Sequence, residues 1–170
     1  MLTFLGYTLV FLALLVSLYL VIRPEASSRS FLRTAAMGTQ SSPFLLLSLS
    51  FIFEATSLDL VSSYVGEGLP LFYRISAVWG SRSGPLLMWA SMMSVIAWLM
   101  SRDRKTDSET IRVMHFWTLL LLLISAGLRP FSPAIPGSAG EISPLLQTDL
   151  MVIHPPVVFV YYSLCLATAS

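Results

Sequence analysis

The sequence predicts an all-α fold, a polytopic membrane helix bundle of about five transmembrane helices. Three observations predict it. Of the 170 residues, 55% are hydrophobic and only 11% are charged, less than half the charged share of an ordinary soluble domain, and the mean hydropathy is +0.77. Apolar runs approaching the roughly 20 residues that a bilayer crossing requires recur along the chain. The segments between those runs alternate in positive charge.

The first span is predicted over Leu2–Ile22, ended by Arg23-Pro24. No Lys or Arg precedes this run and its positive charge follows it, the reverse of a signal peptide, so it reads as a retained helix. The second span is predicted over Pro43–Val61, the third over Gly84–Met100, the fourth over Val113–Leu128 and the fifth over Leu150–Ser170. Residues 1–170 read as a single membrane domain with no internal repeat.

Arg23, Arg29 and Arg33 lie between the first two spans, and Arg102, Arg104, Lys105 and Arg112 between the third and fourth. The other two connections hold Arg74, Arg82 and Arg129. Seven basic residues against three place the first set in the cytoplasm. The N-terminus is then outside, as are the loops at 62–83 and 129–149, and the fifth helix enters from outside. The second of these loops is too rich in Pro and Gly for a regular helix. Loops held on a rigid scaffold are where binding residues concentrate.

A net charge of +1 without a long basic run gives no footprint for nucleic acid. The one cysteine, Cys165, sits in an apolar run. It rules out an internal disulfide, a Cys-x-x-Cys pair and a cysteine zinc site, and reads as a small hydrophobe. No hydrolase triad, phosphate loop or carboxylate pair is visible.

Candidate chemistry concentrates at His154, which precedes Pro155-Pro156. A residue before proline is pushed away from the α region, while proline is tolerated in the first turn of a helix. His-Pro-Pro therefore predicts a histidine just off a helix start, at interface depth and facing outward. Ligation or proton exchange suits such an imidazole, and so does a plain hydrogen bond to a loop carbonyl. His115 reads as an interfacial cap opening the fourth helix. Glu54, expected within the second helix, must face the bundle, because a carboxylate facing lipid costs a few kcal/mol. Its partner is either a structural hydrogen bond or a relay that includes Asp59. Trp79-Gly80 and the run from Gly84 to Trp89 bracket the third helix. Single tryptophans at an interface are ordinarily belt anchors, and the glycines suggest a tight turn. Met88, Met92 and Met93 read as packing residues.

Two stretches together resemble a known family. Tyr73 to Gly80, then Gly84-Pro-Leu-Leu-Met-Trp89, resembles the first external loop and third helix of CcmF-type cytochrome c haem lyases. Ser143-Pro-Leu-Leu-Gln147, then Met151-Val-Ile-His154-Pro155-Pro156, resembles that family's second external signature. Arg129-Pro130-Phe131 stands where the family has Asn-Pro-Phe. The chain departs at Ser81-Arg82-Ser83, where the family has an acidic or His-Glu pair, at Ser143, where it has Asn, and at Gly84-Pro85, where it has Gly-Ser.

The resemblance implies a part in cytochrome c maturation. His154 would ligate the iron of haem (b-type, before attachment) at the external face. Pro155, Pro156, Trp79, Gly80, Gly84, Trp89 and Gln147 would surround that site. It implies as partners a haem chaperone, apocytochrome c and a second haem-lyase chain, or a further portion of the protein, carrying a second histidine and a tryptophan-rich platform. From Pro155 to Ser170 only about 24 Å of helix remains at 1.5 Å per residue, so an N-terminal piece of a larger lyase is expected, not catalytic alone. The expected location is the plasma membrane of a prokaryote, or an organelle inner membrane. The rival readings are a scaffold subunit of a membrane complex and a transporter fragment using Glu54 and Asp59 as a relay.

Overall fold

The computed structural model describes residues 1–170 apart from 67, 104–105, 136, 138–139, 141–147 and 170. Among the described residues it contains seven α-helices and no strand: α1 (Leu2–Ile22), α2 (Ser30–Ile52), α3 (Asp59–Ser62), α4 (Leu71–Gly80), α5 (Gly84–Met100), α6 (Ser108–Gly127) and α7 (Asp149–Ala169). A short 3-10 turn at Pro24–Ser28 joins α1 to α2.

Three helical stretches are each long and apolar enough to cross a membrane: Leu2–Ile22, Ser108–Gly127 and Leu150–Thr168. The pair α4–α5 passes the same test as one unit bent by 89°. The 23-residue α2 has the length for a crossing, and its apolar content is diluted by Thr39-Gln40-Ser41-Ser42. This is an integral membrane helix bundle. α5 packs against α2 and α6, α1 against the same two, and α7 lies at the edge against α5 and α4.

The second helix differs from the expected Pro43–Val61. It begins thirteen residues earlier at Ser30 and ends nine residues earlier at Ile52. Pro43 lies inside it, leaving the Thr39 carbonyl without its backbone donor, and the Ser42 hydroxyl donates to that carbonyl at 2.8 Å. Side chains that re-satisfy a freed carbonyl are what let proline persist in membrane helices. The early stop has a definite geometry. Ala55 N–H donates to Ser50 O (2.8 Å) and Glu54 N–H to Phe51 O (3.3 Å), with Glu54 left-handed at φ 52. That is a Schellman cap with glutamate where glycine is usual. The expected loop at 62–83 also holds a helix, α4, lying across the start of α5.

Buried core residues come from every helix, among them Ala13, Phe51, Leu60, Val78, Met93 and Leu122. The Pro-rich segment after α6 enters this core through Phe131, which is fully buried, meets Tyr7 edge-on at 6.3 Å and lies against Gly6. A Cβ at Gly6 would overlap the Phe131 ring. The same segment is laced to the start of α3 and the residues before it: Asp59 N–H donates to Ser132 O (3.0 Å) and Ala134 N–H to Ser57 O (2.9 Å).

Candidate functional site

His154 is the sixth residue of α7 and not a residue outside it. The helix begins at Asp149, supported where Met151 N–H donates to Thr148 O at 3.0 Å. Pro155 and Pro156 thus fall inside the helix, overriding the extended conformation expected for the residue before a proline. A proline at 155 withholds the N–H that the carbonyl four residues earlier, at Met151, would accept. The Trp79 indole N–H supplies the replacement, donating to Met151 O at 2.7 Å. A ring from α4 therefore completes the backbone of the turn that carries the histidine.

The imidazole of His154 is exposed. It shares its side of α7 with Leu150, Ile153, Val157 and Tyr161, all exposed. Only 6% of the α7 apolar window is buried, against 28% in α1 and 39% in α6. The opposite side faces the bundle, where Trp89 meets Phe159 (centroids 5.6 Å apart) and Tyr162 (6.0 Å).

Trp79 and the turn of His154, Pro155 and Pro156 are brought together by that one hydrogen bond. Gly80 ends α4 beside them. Gly84 opens α5 and is buried, and a Cβ there would overlap the Val78 carbonyl, so the sharp α4–α5 corner requires glycine. Trp89 sits farther along α5, on the bundle side of α7. Gln147 and Ser143 lie outside the described residues.

The imidazole of His154 carries a ring nitrogen that could bond the iron of a haem, and the apolar side chains around it would suit the face of a macrocycle. The fit is to half of a site. Among the described residues no group of three or more His, Cys, Asp and Glu residues is placed to hold a metal ion.

The other ionisable candidates fall elsewhere. Glu54 is not within α2 but beyond its end, paired with Arg74 at 2.6 Å and 43% exposed. Asp59 opens α3 and pairs with Arg82 at 2.8 Å. His115 is not an interfacial cap: α6 begins at Ser108, five residues before the expected start, so the ring lies two turns inside and 4% exposed. The Gln40 amide N–H donates to its Nδ1 (3.2 Å) and to Ser17 Oγ (2.9 Å), and Ser27 Oγ lies 3.4 Å from Nε2. Sequence reasoning passed over Gln40, Arg74 and the Met151 carbonyl. Counting back four residues from Pro155 identifies that carbonyl, but nothing local identifies Trp79 as its donor.

The comparisons with known proteins agree on one group. The chain is 31% identical to the cytochrome c-type biogenesis protein CcmF of Escherichia coli over 149 residues, which are 82% of this chain and 23% of that protein. It is 30% identical to CcmF of Pseudomonas fluorescens over 129 residues, 70% of this chain and 19% of that protein. It is 26% identical to the cytochrome c-type biogenesis protein NrfE of Haemophilus influenzae over 128 residues, 69% and 20% respectively. No family model matches the chain, and no solved structure does. The chain spans a quarter or less of the length of these curated relatives. Over most of its own length, the chain belongs to the CcmF-type cytochrome c biogenesis family.

Proposed function

We propose that the chain acts in cytochrome c maturation, as a membrane component that holds haem by its iron through His154 on the side reached from outside the cytoplasm. The observation that carries this reading is the exposed imidazole on an uncovered face of α7, set in a turn completed by the Trp79 hydrogen bond. Its relatives' names supply the process. The charge asymmetry supports that side, since Arg23, Arg33, Arg102 and Arg112 lie at or beside the α1–α2 and α5–α6 connections, away from α4.

In this reading the chain orients haem. Haem brings the vinyl groups to which apocytochrome thiols add, and a second chain or further portion brings the second ligand and the tryptophan-rich surface. The division of labour is usual for cofactor proteins, in which the polypeptide supplies binding and placement. A haem chaperone and apocytochrome c are the other partners. The relay alternative is weakened by geometry: Glu54 and Asp59 each face an arginine near the loops and form no line through the interior.

The test is purification of the native complex with His154 intact or changed to Ala, a haem absorbance spectrum, identification of copurifying chains by mass spectrometry, and an assay of cytochrome c maturation. The expected outcome is loss of the ligand band and of maturation in His154→Ala, with helix content unchanged. Unchanged haem and maturation in the variant sink the ligand assignment. Absence of a copurifying chain with a tryptophan-rich segment separately sinks the two-chain arrangement.

A further inference from the structure

A pocket of about 570 Å³ lies between the α1–α2 and α5–α6 connections, with Glu25, Arg33, Arg102, Asp103, Thr106 and Ser108 among its lining. Its ionisable side chains are two arginines and two carboxylates. Glu25 is matched from outside the lining by Arg23 at 3.6 Å, and Asp103 has a partner of its own. Among the described residues no carboxylate pairs with either lining arginine.

Both guanidiniums are nonetheless held in place. Arg33 Nη1 donates to the Ser101 carbonyl at 2.7 Å, tying the first turn of α2 to the end of α5. Its Nε is buried without a hydrogen-bond partner. The Arg102 guanidinium lies 3.6 Å from the centre of the Trp98 ring, and the Trp98 indole N–H donates to Thr34 Oγ1 at 3.2 Å. A carbonyl and a ring face orient a cation without neutralising it. The part-buried charge of Arg33 is costly unless an opposite charge meets it. A guanidinium carries five N–H donors in a flat fork that matches the oxygens of a phosphate.

The start of α6 adds donors of the same kind. It opens on the pocket through Ser108, and no side chain caps its first turn. Glu109 in that turn is paired with Arg112 at 2.7 Å. Uncapped N–H groups at the start of a long helix favour oxyanions. Apolar surface lies close by in the chain: Phe31 and Leu99, two residues from Arg33 and Ser101, are 79% and 51% exposed. Basic pockets between membrane helices on the cytoplasmic side are suited to acidic lipid headgroups, and the positive charge of these two connections marks them as cytoplasmic.

We propose that this pocket binds one phosphate group, that of an anionic phospholipid. Exposed Phe31 and Leu99 favour a lipid over a soluble phosphate compound, which offers the same oxyanion. The proposal goes beyond the haem reading and does not depend on His154.

The full chain is placed in phosphatidylcholine nanodiscs containing a minor share of phosphatidylglycerol, and the lipids that stay bound on release are counted by native mass spectrometry. The wild type is expected to keep one phosphatidylglycerol per chain, enriched about tenfold over its share of the bilayer, the scale of one or two basic contacts. Arg33→Gln should return retention to the bilayer ratio. Arg102→Gln, which leaves the Arg33–Ser101 bond in place, should do the same, with wild-type helix content in phosphatidylcholine alone. Arg29→Gln removes a charge from the same connection outside the lining and should retain lipid as the wild type does. Wild-type retention at the bilayer ratio overturns the proposal. So does an equal loss in Arg29→Gln, which marks a general surface charge and no pocket. Displacement of the bound lipid by inorganic phosphate, at an ionic strength matched with chloride, assigns the pocket to a soluble phosphate compound and overturns the lipid source.

Discussion

Of the three prolines inside the long helices, Pro43, Pro155 and Pro156, two are handled by the same chemistry at different range. Pro43 frees the Thr39 carbonyl, and the adjacent Ser42 hydroxyl takes it. Pro155 frees the Met151 carbonyl, and a tryptophan 72 residues away takes it. The first solution is local and invisible outside α2. The second ties the α4 turn to the helix that presents His154. Trp79→Phe keeps the ring's bulk and removes the donor. It should cost about 1 kcal/mol of stability, the range of interhelical hydrogen bonds measured in membranes. It should also weaken haem binding by several-fold without abolishing the ligand spectrum that His154→Ala removes. Thermal unfolding and a haem titration on the two variants check this. A Trp79→Phe protein indistinguishable from wild type in both measurements shows that the bond positions nothing. His154 stands out in the sequence because His-Pro-Pro occurs at one place in the chain. Its depth within the helix was not legible. The pre-proline rule describes a preference of isolated dipeptides, which tertiary hydrogen bonding overrode.

At the scale of elements, the class of fold was legible because lipid admits few backbone solutions and the apolar runs are long. The placement of α2 was not. A reading that stops at Pro43 assumes the proline begins a helix, and one that continues to Val61 counts Phe53, Leu58 and Leu60 as membrane residues. The cap at Glu54 is set by φ, which sequence shows only when glycine occupies the position. His115 was misplaced for a related reason, since the polar start of α6 hid its first turn. The packing of α1 on the Pro-rich segment yields a matched pair of predictions. Gly6→Ala puts a carbon into the Phe131 ring and should destabilise by about 1–3 kcal/mol, as overpacking does. Gly38→Ala in α2 meets no atom within 4 Å and should be neutral or stabilising by up to about 1 kcal/mol. Denaturation of both variants in the same detergent checks the contrast. Equal effects mean that the Gly6–Phe131 contact does not hold the segment.

The whole molecule is unevenly consolidated. α1, α2, α5 and α6 surround a shared core, while α7 rests against α5 and α4 with 6% of its apolar window buried. Regions with few buried contacts open at lower free energy. In the chain by itself, amides of α7 should exchange with deuterium sooner than those of α5. Mass spectrometry of the protein in nanodiscs checks the order, and protection of α7 equal to that of α5 contradicts it. Nothing in the sequence of α7 announced its sparse packing, because an apolar helix reads alike whether protein or lipid surrounds it.

The indole bridge between α4 and α7 also defines what can be exchanged with a relative. A graft that carries the Trp79 corner into another background without the matching proline helix delivers a donor to a carbonyl already occupied by its own backbone N–H. A graft of the proline helix alone delivers a bare carbonyl to a site with no donor. The two segments are one heritable part split across 72 positions, and they transplant together or not at all.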